Sequence, residues 1–266
     1  MKTLLTILIF IPFFGKGQDS SFALIGKSPG TYSSFAVDNL GNLYLLSTEN
    51  QLKKLGAKGD SMGVYNDVKR FGKLYSINAI NPLKTLLFYK DYRTVVVLDR
   101  LLNAVNTIDL RARNILQVRA VAPSYDNNIW IFDEQQSILK KIGEDGRVLS
   151  ETSDLRIALG VAPVPVEIFD QNGFVYLYDP ANGMFVFDYY GSLKTRIALL
   201  DWQNVQVLGN TIVGTVGNKL MTYTTGTLNI KETILPEFFQ HSRHMEIMPL
   251  GIYVLTDDGV SIYRYN

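Results

Sequence analysis

The two histidines of the chain lie close together, in the segment Gln-His-Ser-Arg-His. His241 and His244 are three residues apart, so their imidazoles could together supply two nitrogen ligands to a zinc ion. A zinc site needs three or four ligands, and since the chain has no cysteine, any others would be carboxylates brought close by the fold. Without such carboxylates, the two residues are simply histidines of a surface loop.

A second set of candidate ligands recurs at one position of a repeated pattern, three residues before a turn that joins two apolar segments. Carboxylate and amide oxygens at this position suit calcium, and two carboxylates could also serve as general acid and base. Without a metal or a reaction, these polar side chains would either line a water-filled channel of the fold or be buried with hydrogen-bond partners. The six positions are Phe35, Asn78, Val121, Glu167, Gln206 and Glu246, and the candidate metal ligands are Glu167, Glu246, Asn78 and Gln206.

Other residues are candidates for ligand binding because they fall in predicted loops, where a rigid scaffold usually presents its recognition groups. Trp202, in Asp-Trp-Gln-Asn, could stack on a sugar or anchor a peptide if it is exposed; otherwise it is a core residue at the edge of a repeat. Charged candidates follow apolar segments or lie between repeats. These are Asp133, Asp179, Asp257 and Arg111.

Common catalytic and nucleotide-binding patterns are missing from the sequence. It contains no Gly-rich phosphate loop, no Gly-x-Ser-x-Gly nucleophile segment and no Ser/His/Asp arrangement that spacing would indicate. The formal net charge is +1 and the lysines and arginines are mixed with acids, whereas nucleic-acid binding requires a concentrated basic surface. We therefore expect neither nucleotide chemistry nor nucleic-acid binding.

The elements that must position these residues follow from an internal repeat. Each unit consists of an apolar strand, an Asn/Gly turn, an aromatic-rich strand, a polar loop and two further strands, as in FAVDNLGNLYLLSTENQLKKLGAKGD from Phe35. Period-2 and continuous apolar segments bounded by Gly, Asn, Asp and Pro indicate strands. The units recur about every 40 residues, the period of a four-stranded propeller blade. Their second strands place these residues at equivalent positions: Tyr44, Phe88, Trp130, Tyr176, Val213 and Tyr253.

The clearest units resemble the NHL-type family of six-bladed β-propellers. The resemblance rests on an apolar residue and Asp, then Gly-Asn and an aromatic strand, then a polar residue such as Asp133 or Asp179. Ser47 takes that polar position in the first unit, and the fifth unit departs further from the pattern. The resemblance implies a ring of blades and a role in binding, whereas the fold alone implies no particular chemistry.

The predicted fold is all-β, a six-bladed propeller with four-stranded blades. The sixth unit contains three strands, and an unpaired outer edge would invite aggregation. The apolar segment Phe22-Ala23-Leu24-Ile25 precedes the first unit and belongs to none. We predict that this segment, within residues 21–26, adds the outer strand of the last blade and so closes the ring.

The N-terminus has the features of a secretory signal peptide. Lys2 is followed by an apolar segment from Leu4 to Phe14, and Gly15 and Gly17 offer small residues for cleavage before Gln18. That apolar segment is shorter than the ~20 residues that span a bilayer. We predict a signal peptide at residues 1–17 and a single propeller domain at 18–266. The protein would be exported and periplasmic, outer-membrane associated or extracellular, and it would not span the membrane after cleavage.

Two functions remain open from the sequence. The first is a non-enzymatic binding or scaffold protein of the bacterial envelope, whose loops bind a protein partner, a peptide or a glycan, within an envelope complex or alone. The second is a metal-dependent hydrolase or lyase, using calcium or zinc, that resembles gluconolactonase propellers. The sequence requires no cofactor, and calcium is the ion that its oxygen ligands would suit.

Overall fold

The computed structural model describes residues 22–265, so the predicted signal peptide and its cleavage site lie outside the described residues. The fold is a ring of six four-stranded antiparallel sheets, as the repeat predicted. Innermost strands of consecutive blades are in contact all the way round, including the first blade with the last. Within residues 22–265, no helix combines the length and the apolar content needed to cross a membrane.

Each blade is numbered in chain order, with its innermost strand first. The first strand of the chain, β1, belongs to blade 6, so the strands of blade 1 begin with β2. In blade 1 the strands are β2 (Tyr32–Val37), β3 (Leu43–Ser47), β4 (Leu52–Leu55) and β5 (Ser61–Tyr65). In blade 2 they are β6 (Ser76–Asn78), β7 (Thr85–Tyr89), β8 (Thr94–Leu98) and β9 (Ala104–Asp109). In blade 3 they are β10 (Val118–Pro123), β11 (Ile129–Asp133), β12 (Ile138–Ile142) and β13 (Val148–Glu151).

The second half of the chain repeats this arrangement. Blade 4 contains β14 (Glu167–Gln171), β15 (Phe174–Asp179), β16 (Gly183–Asp188) and β17 (Leu193–Ile197). Blade 5 contains β18 (Gln203–Leu208), β19 (Thr211–Val216), β20 (Lys219–Thr224) and β21 (Ile230–Ile234). Blade 6 contains β22 (His244–Met248), β23 (Gly251–Thr256), β24 (Gly259–Tyr265) and β1 (Phe22–Pro29). Short helices lie between blades: α1 (Val68–Phe71), α2 (Leu155–Leu159) and two 3₁₀ turns, Arg111–Arg113 and Glu237–Phe239.

The N-terminal strand closes the ring, which confirms the prediction made from Phe22 to Ile25. Strand β1 pairs antiparallel with β24, from Phe22 opposite Tyr265 to Pro29 opposite Gly259. Phe22 is buried, and its ring centroid lies 5.2 Å from that of Phe239 and 5.0 Å from that of Tyr265. The last blade therefore joins both ends of the described chain.

The core is a set of six apolar layers, one between each pair of neighbouring blades. Second and third strands meet a neighbouring blade on both sides, so segments such as Ile129–Asp133 are buried throughout. Fourth strands lie at the rim, and Leu193–Ile197 is largely exposed. Turn chemistry fixes the hairpins: Asn172 and Gly173 both have positive φ, as a two-residue turn between antiparallel strands requires.

Candidate functional site

The antiparallel connections sort the loops onto two faces of the ring. The loop face carries the segments between blades, 66–75, 110–117, 152–166, 198–202 and 235–243, and the loops from second to third strands. The turn face carries the turns from first to second and from third to fourth strands. All of the predicted binding residues outside the channel belong to the loop face or to its edge.

Two of the predicted binding aspartates are buried at the ends of second strands. Asp133 is 2% exposed and its carboxylate lies 2.7 Å from Lys140 Nζ. Asp179 is 1% exposed and accepts hydrogen bonds from the backbone N–H groups of Val164 and Ala181 at 2.7 and 2.9 Å. Both carboxylates satisfy internal donors and organise the loop, so neither is presented to a ligand.

Trp202 is 5% exposed and packs in the layer between blades 4 and 5, which is the core alternative of the sequence analysis. Its backbone carbonyl accepts a hydrogen bond from the Tyr178 hydroxyl at 2.7 Å. The indole is therefore covered in this structure, and its apolar area stabilises the contact between two blades.

Arg111 and Asp257 are exposed, and each has a charged neighbour. Arg111 binds Asp109, two residues earlier, through two nitrogens at 3.1 and 3.2 Å. The side chain of Asp257 is 92% exposed and lies 3.5 Å from Arg243 Nε. Exposed pairs of this kind contribute little to stability. Both residues lie at the rim of the loop face, and their role in ligand binding stays a prediction.

The strand register corrects the predicted alignment of the repeats. The residues three positions before the end of each second strand are Tyr44, Leu86, Trp130, Tyr176, Val213 and Tyr253. Leu86 thus replaces Phe88, which pairs with Ser76 instead. Opposite these six residues on the innermost strands are Ala36, Asn78, Ala122, Phe169, Gln206 and Glu246.

Glu167 therefore does not share a level with Glu246, Asn78 and Gln206. It pairs with Tyr178, one residue before the end of its second strand, and His244 pairs with Leu255 at the same level of blade 6. This level is nearer the loop face. Phe35 and Val121, which the repeat also placed in the channel, are buried in the apolar layers between blades.

Glu167, His244 and Glu246 form the ionisable group at the loop-face end of the channel. His244 Nε2 lies 3.9 Å from Glu246 Oε1, and the second oxygen of Glu246 accepts a hydrogen bond from Val37 N–H at 2.9 Å. The His244 ring packs edge-on against Phe35, with centroids 5.2 Å apart. We call these three residues the channel cluster.

The surroundings of the channel cluster favour neutral carboxyl groups. Glu167 is exposed to water but lies on an innermost strand, where the surrounding protein, together with the charge of Glu246, raises the pKa of Glu167 to about 7. Burial also raises the pKa of Glu246, although His244 and the Val37 N–H oppose the change. The cluster can therefore hold or release a proton close to neutral pH.

Asn78 and Gln206 are partly buried on the innermost strands of blades 2 and 5. Within residues 22–265, the Asn78 side-chain oxygen is buried without a hydrogen-bond partner, and such an atom suits a water molecule or a cation. Across the same residues, no group of three or more His, Asp or Glu side chains is arranged to hold a metal ion. A metal in the channel would thus depend on amide oxygens and water in addition to the carboxylates, and this site stays a prediction.

The two histidines occupy different environments. His241 is exposed on the loop between blades 5 and 6, whereas His244 begins β22 and is partly covered. Only His244 belongs to the channel cluster. The structure thus joins this one histidine to the channel carboxylates rather than to its neighbour in sequence.

A cavity of about 170 Å³ lies between blades 5 and 6 and is bordered by His244. Asn204 connects the two blades there: its side chain accepts a hydrogen bond from Met245 N–H at 2.9 Å and donates one to Thr215 Oγ1 at 3.0 Å. We call it the blade 5/6 cavity; its polar lining is Gln203, Asn204, Thr215, Asn218, Gln240, Ser242, Arg243 and His244. The sequence analysis missed every one of these residues except His244, because no repeat marks the loop 235–243 and the other lining residues belong to blade 5, far from that loop in the chain.

Replacing Glu167 with glutamine is expected to raise the melting temperature at pH 8 and to leave it unchanged at pH 4. The pKa of Glu167 is about 7 in the folded protein against an ordinary value of 4.5. The stability from its protonated form is therefore full below the unfolded pKa and is lost as pH rises through 7. An amide has no proton to lose, so E167Q avoids this loss.

Melting curves of the native protein and E167Q at pH 4, 6 and 8 measure this effect. Glu151→Gln, a change at an exposed strand residue, is the matched control and should show no such pH dependence. An equal difference between native protein and E167Q at pH 4 and pH 8 would contradict the raised pKa.

The chain matches no protein-family profile and no curated protein in sequence. Its fold is shared with several solved β-propellers. A streptogramin B lyase aligns with a TM-score of 0.60 and 16% identity, over 87% of this chain and 78% of that one. The WD40 domain of Pan2 from Neurospora crassa aligns with a TM-score of 0.62 and 12% identity, over 94% of this chain and 87% of that one.

A third structure is PorZ of Porphyromonas gingivalis, described as an essential bacterial surface component of the type-IX secretion system. It aligns with a TM-score of 0.57 and 13% identity, over 90% of this chain and 33% of that one. At these identities the likeness shows the fold alone. The chain is a β-propeller, and its neighbours in fold include a lyase, a WD40 domain and a bacterial surface component.

Proposed function

We propose that this chain is a non-enzymatic binding protein of the bacterial envelope, which holds an extended peptide segment of a protein partner on its loop face. The observation that carries the proposal is the blade 5/6 cavity, which is bordered by the loop 235–243 and adjoins the channel cluster. Its walls come from two blades held together by Asn204, so the binding surface exists before the ligand arrives.

The lining of the cavity suits a peptide. Amide and hydroxyl groups of Gln203, Gln240 and Ser242 can pair with backbone N–H and C=O groups of an extended chain. Leu235, Phe239 and Met245 add an apolar part to the wall. Arg243 and the exposed Asp257 stand at the edge, where charge selects among partners more than it adds affinity.

The fold comparisons are consistent with such a role, since a surface component of a secretion system uses a propeller of this kind. We also propose that the chain is an NHL-type propeller, from its Gly-Asn turns and aromatic second strands, and that it is exported, from the signal-peptide features of residues 1–17. The intact mass of protein isolated from the native envelope tests export, since a retained Met1 would contradict it.

Filling the blade 5/6 cavity is expected to abolish partner binding. Ser242 borders the cavity, and Ser242→Trp would place an indole where the peptide enters. We expect at least tenfold less partner captured from the native envelope, which corresponds to roughly 1.4 kcal/mol of binding energy. Asn229→Trp, an exposed change on the turn face, is the matched control and should capture as the native protein does.

Quantitative mass spectrometry of the captured proteins measures this difference, with melting curves to confirm that both variants fold. If S242W captures the same partner as strongly as the native chain, the cavity is not the binding surface. A partner lost equally from both tryptophan variants would contradict the proposal as well.

The channel cluster favours a second candidate, a metal-dependent hydrolase or lyase using calcium or zinc. A carboxyl with a pKa of about 7 beside an imidazole and a second carboxylate can serve as general acid or base near neutral pH. A lyase is among the structures that share the fold. Metal analysis of the purified protein separates the candidates, because stoichiometric calcium or zinc lost in Glu246→Gln would favour the enzyme.

A further inference from the structure

An aromatic platform lies on the turn face where blades 3 and 4 meet, on the opposite face of the ring from the blade 5/6 cavity. The rings of Tyr125 and Tyr189 are stacked, with centroids 4.5 Å apart and planes 12° from parallel. Tyr125 is 66% exposed, so one ring face is covered by Tyr189 and the other is open to solvent. The open face of the Tyr125 ring is thus a flat apolar surface on which a ligand could stack.

The platform is held rigidly by one carboxylate. Asp170 accepts hydrogen bonds from the Tyr189 hydroxyl at 2.6 Å, from Trp130 Nε1 at 2.8 Å and from Tyr125 N–H at 3.2 Å. Ser124 Oγ, in the same turn as Tyr125, donates a fourth at 2.9 Å. Four donors on one carboxylate fix the turn and both rings, so little entropy would be lost when a ligand stacks on Tyr125.

A cation of the chain itself, Lys141, already lies beside the rings. Lys141 Nζ lies 4.9 Å from the Tyr125 centroid, 5.2 Å from Trp130 and 5.5 Å from Tyr189. It also pairs with Asp126. The cluster is therefore not a free cage for a cationic ligand, because an ammonium group would have to displace a paired lysine.

An open, polar depression of about 560 Å³ adjoins the platform, starting at the residue after Tyr125. Its charges are paired within the protein: Lys84 lies 2.8 Å from Glu144, and Arg147 pairs with Asp145. A surface with paired charges offers many hydrogen-bonding groups and little net charge. The lining residues are Lys84, Asp126, Asn127, Asn128, Glu144 and Asp145.

We propose that this surface binds an uncharged carbohydrate. A sugar ring has an apolar face that stacks on an aromatic ring and a rim of hydroxyls that both donate and accept hydrogen bonds. Tyr125 provides the stacking surface, and the amides of Asn127 and Asn128 with the carboxylates of Asp126 and Glu144 provide the hydrogen-bonding groups. This site goes beyond the proposed function, since it takes another class of ligand on the other face.

Affinity electrophoresis of the full mature chain tests the proposal, in native gels cast with soluble neutral β-glucans, α-glucans or galactomannan. We expect at least one polysaccharide to slow the native protein and Tyr125→Ala to bind it at least tenfold more weakly. Tyr190→Ala removes a neighbouring tyrosine that is 92% exposed and should behave as the native chain does. Tyr125 is exposed, so Y125A should keep the melting temperature of the native protein within a few degrees.

The outcomes separate the alternatives. Unretarded migration in every gel overturns the proposal, and so does retardation that Y125A leaves unchanged or that Y190A weakens equally. Binding of a proline-rich peptide instead of any glycan would also overturn it. Ser242→Trp, which fills the blade 5/6 cavity, should leave glycan binding intact. The glycan proposal can therefore hold even if the proposed peptide binding is wrong.

Discussion

A chain that starts at Gly30 is expected to melt at least ten degrees below a chain that starts at Gln18 and to self-associate. The deletion removes β1, which pairs with β24 along its whole length. It also removes the buried ring of Phe22, whose burial alone is worth ~1.5–3 kcal/mol. Loss of several kcal/mol lowers the melting temperature of a domain of this size by about 2–4 °C for each kcal/mol.

Self-association follows from the strand edge that the deletion exposes. Without β1, strand Gly259–Tyr265 still pairs with β23, but the backbone N–H and C=O groups of its outer edge lose their partner strand. Such an unpaired edge is a template for another chain. Calorimetry and size-exclusion chromatography with light scattering measure the two effects. Leu24→Ala is the matched control: Leu24 is 54% exposed and the change keeps the strand, so its stability should change little.

Truncated protein that stays monomeric and melts like the full chain would contradict the role of β1 in closing the ring. Phe22→Ala distinguishes the two contributions, because it removes the aromatic contact with Phe239 but keeps the ladder. We expect it to lower the melting temperature by an intermediate amount and to remain monomeric.

The architecture was predictable because several local signals agree at every repeat. Turn residues such as Asn172-Gly173 favour tight hairpins, and the second strands are continuously apolar because a blade lies on each side of them. Even the fifth unit, the weakest in pattern, forms a complete blade from Gln203 to Ile234. The outer edge of the third strand of blade 6 needs a partner strand, and this requirement predicted the position of Phe22–Pro29.

The exact level of each channel residue was not predictable, because the first hairpins of the blades differ in length. Five residues separate Val37 from Leu43, whereas two separate Gln171 from Phe174. Counting back from a turn therefore reaches different levels in different blades, and bulges shift the register further, for example between Val118 and Val121. This is why Glu167 lies at the level of His244 rather than at the level of Glu246.

The burial of the loop aspartates was also beyond a sequence reading, since an Asp that organises a loop and one that binds a ligand look alike. The only sequence feature that hints at this burial is a polar partner a few residues later. Asn182 follows Asp179 by three residues and donates a hydrogen bond to it at 2.9 Å, and Lys140 follows Asp133 by seven residues and pairs with it. The blade 5/6 cavity left no such signal, because it forms between two blades whose facing residues are far apart in the chain.

Trp130→Ala is expected to destabilise the protein by ~3–5 kcal/mol, the range for deleting a large aromatic side chain from a core. Trp130 is 2% exposed and packs in the layer between blades 3 and 4, with Phe132 and Phe187. The same change removes one of the four donors to Asp170 and one of the three rings around Lys141. It therefore both opens a cavity and weakens a partly buried polar network, and the two costs add to each other.

Denaturant melts of the native protein and two variants measure this cost. Trp130→Phe keeps an aromatic ring in the layer but loses the N–H, so it should fall between the native protein and W130A and report mainly the hydrogen bond to Asp170. A loss below about 1 kcal/mol for W130A would mean that the layer between blades 3 and 4 closes over the missing indole, contrary to the close packing expected of a protein core. Since Asp170 also holds Tyr125 and Tyr189, W130A should weaken binding at the aromatic platform even under conditions where the variant remains folded.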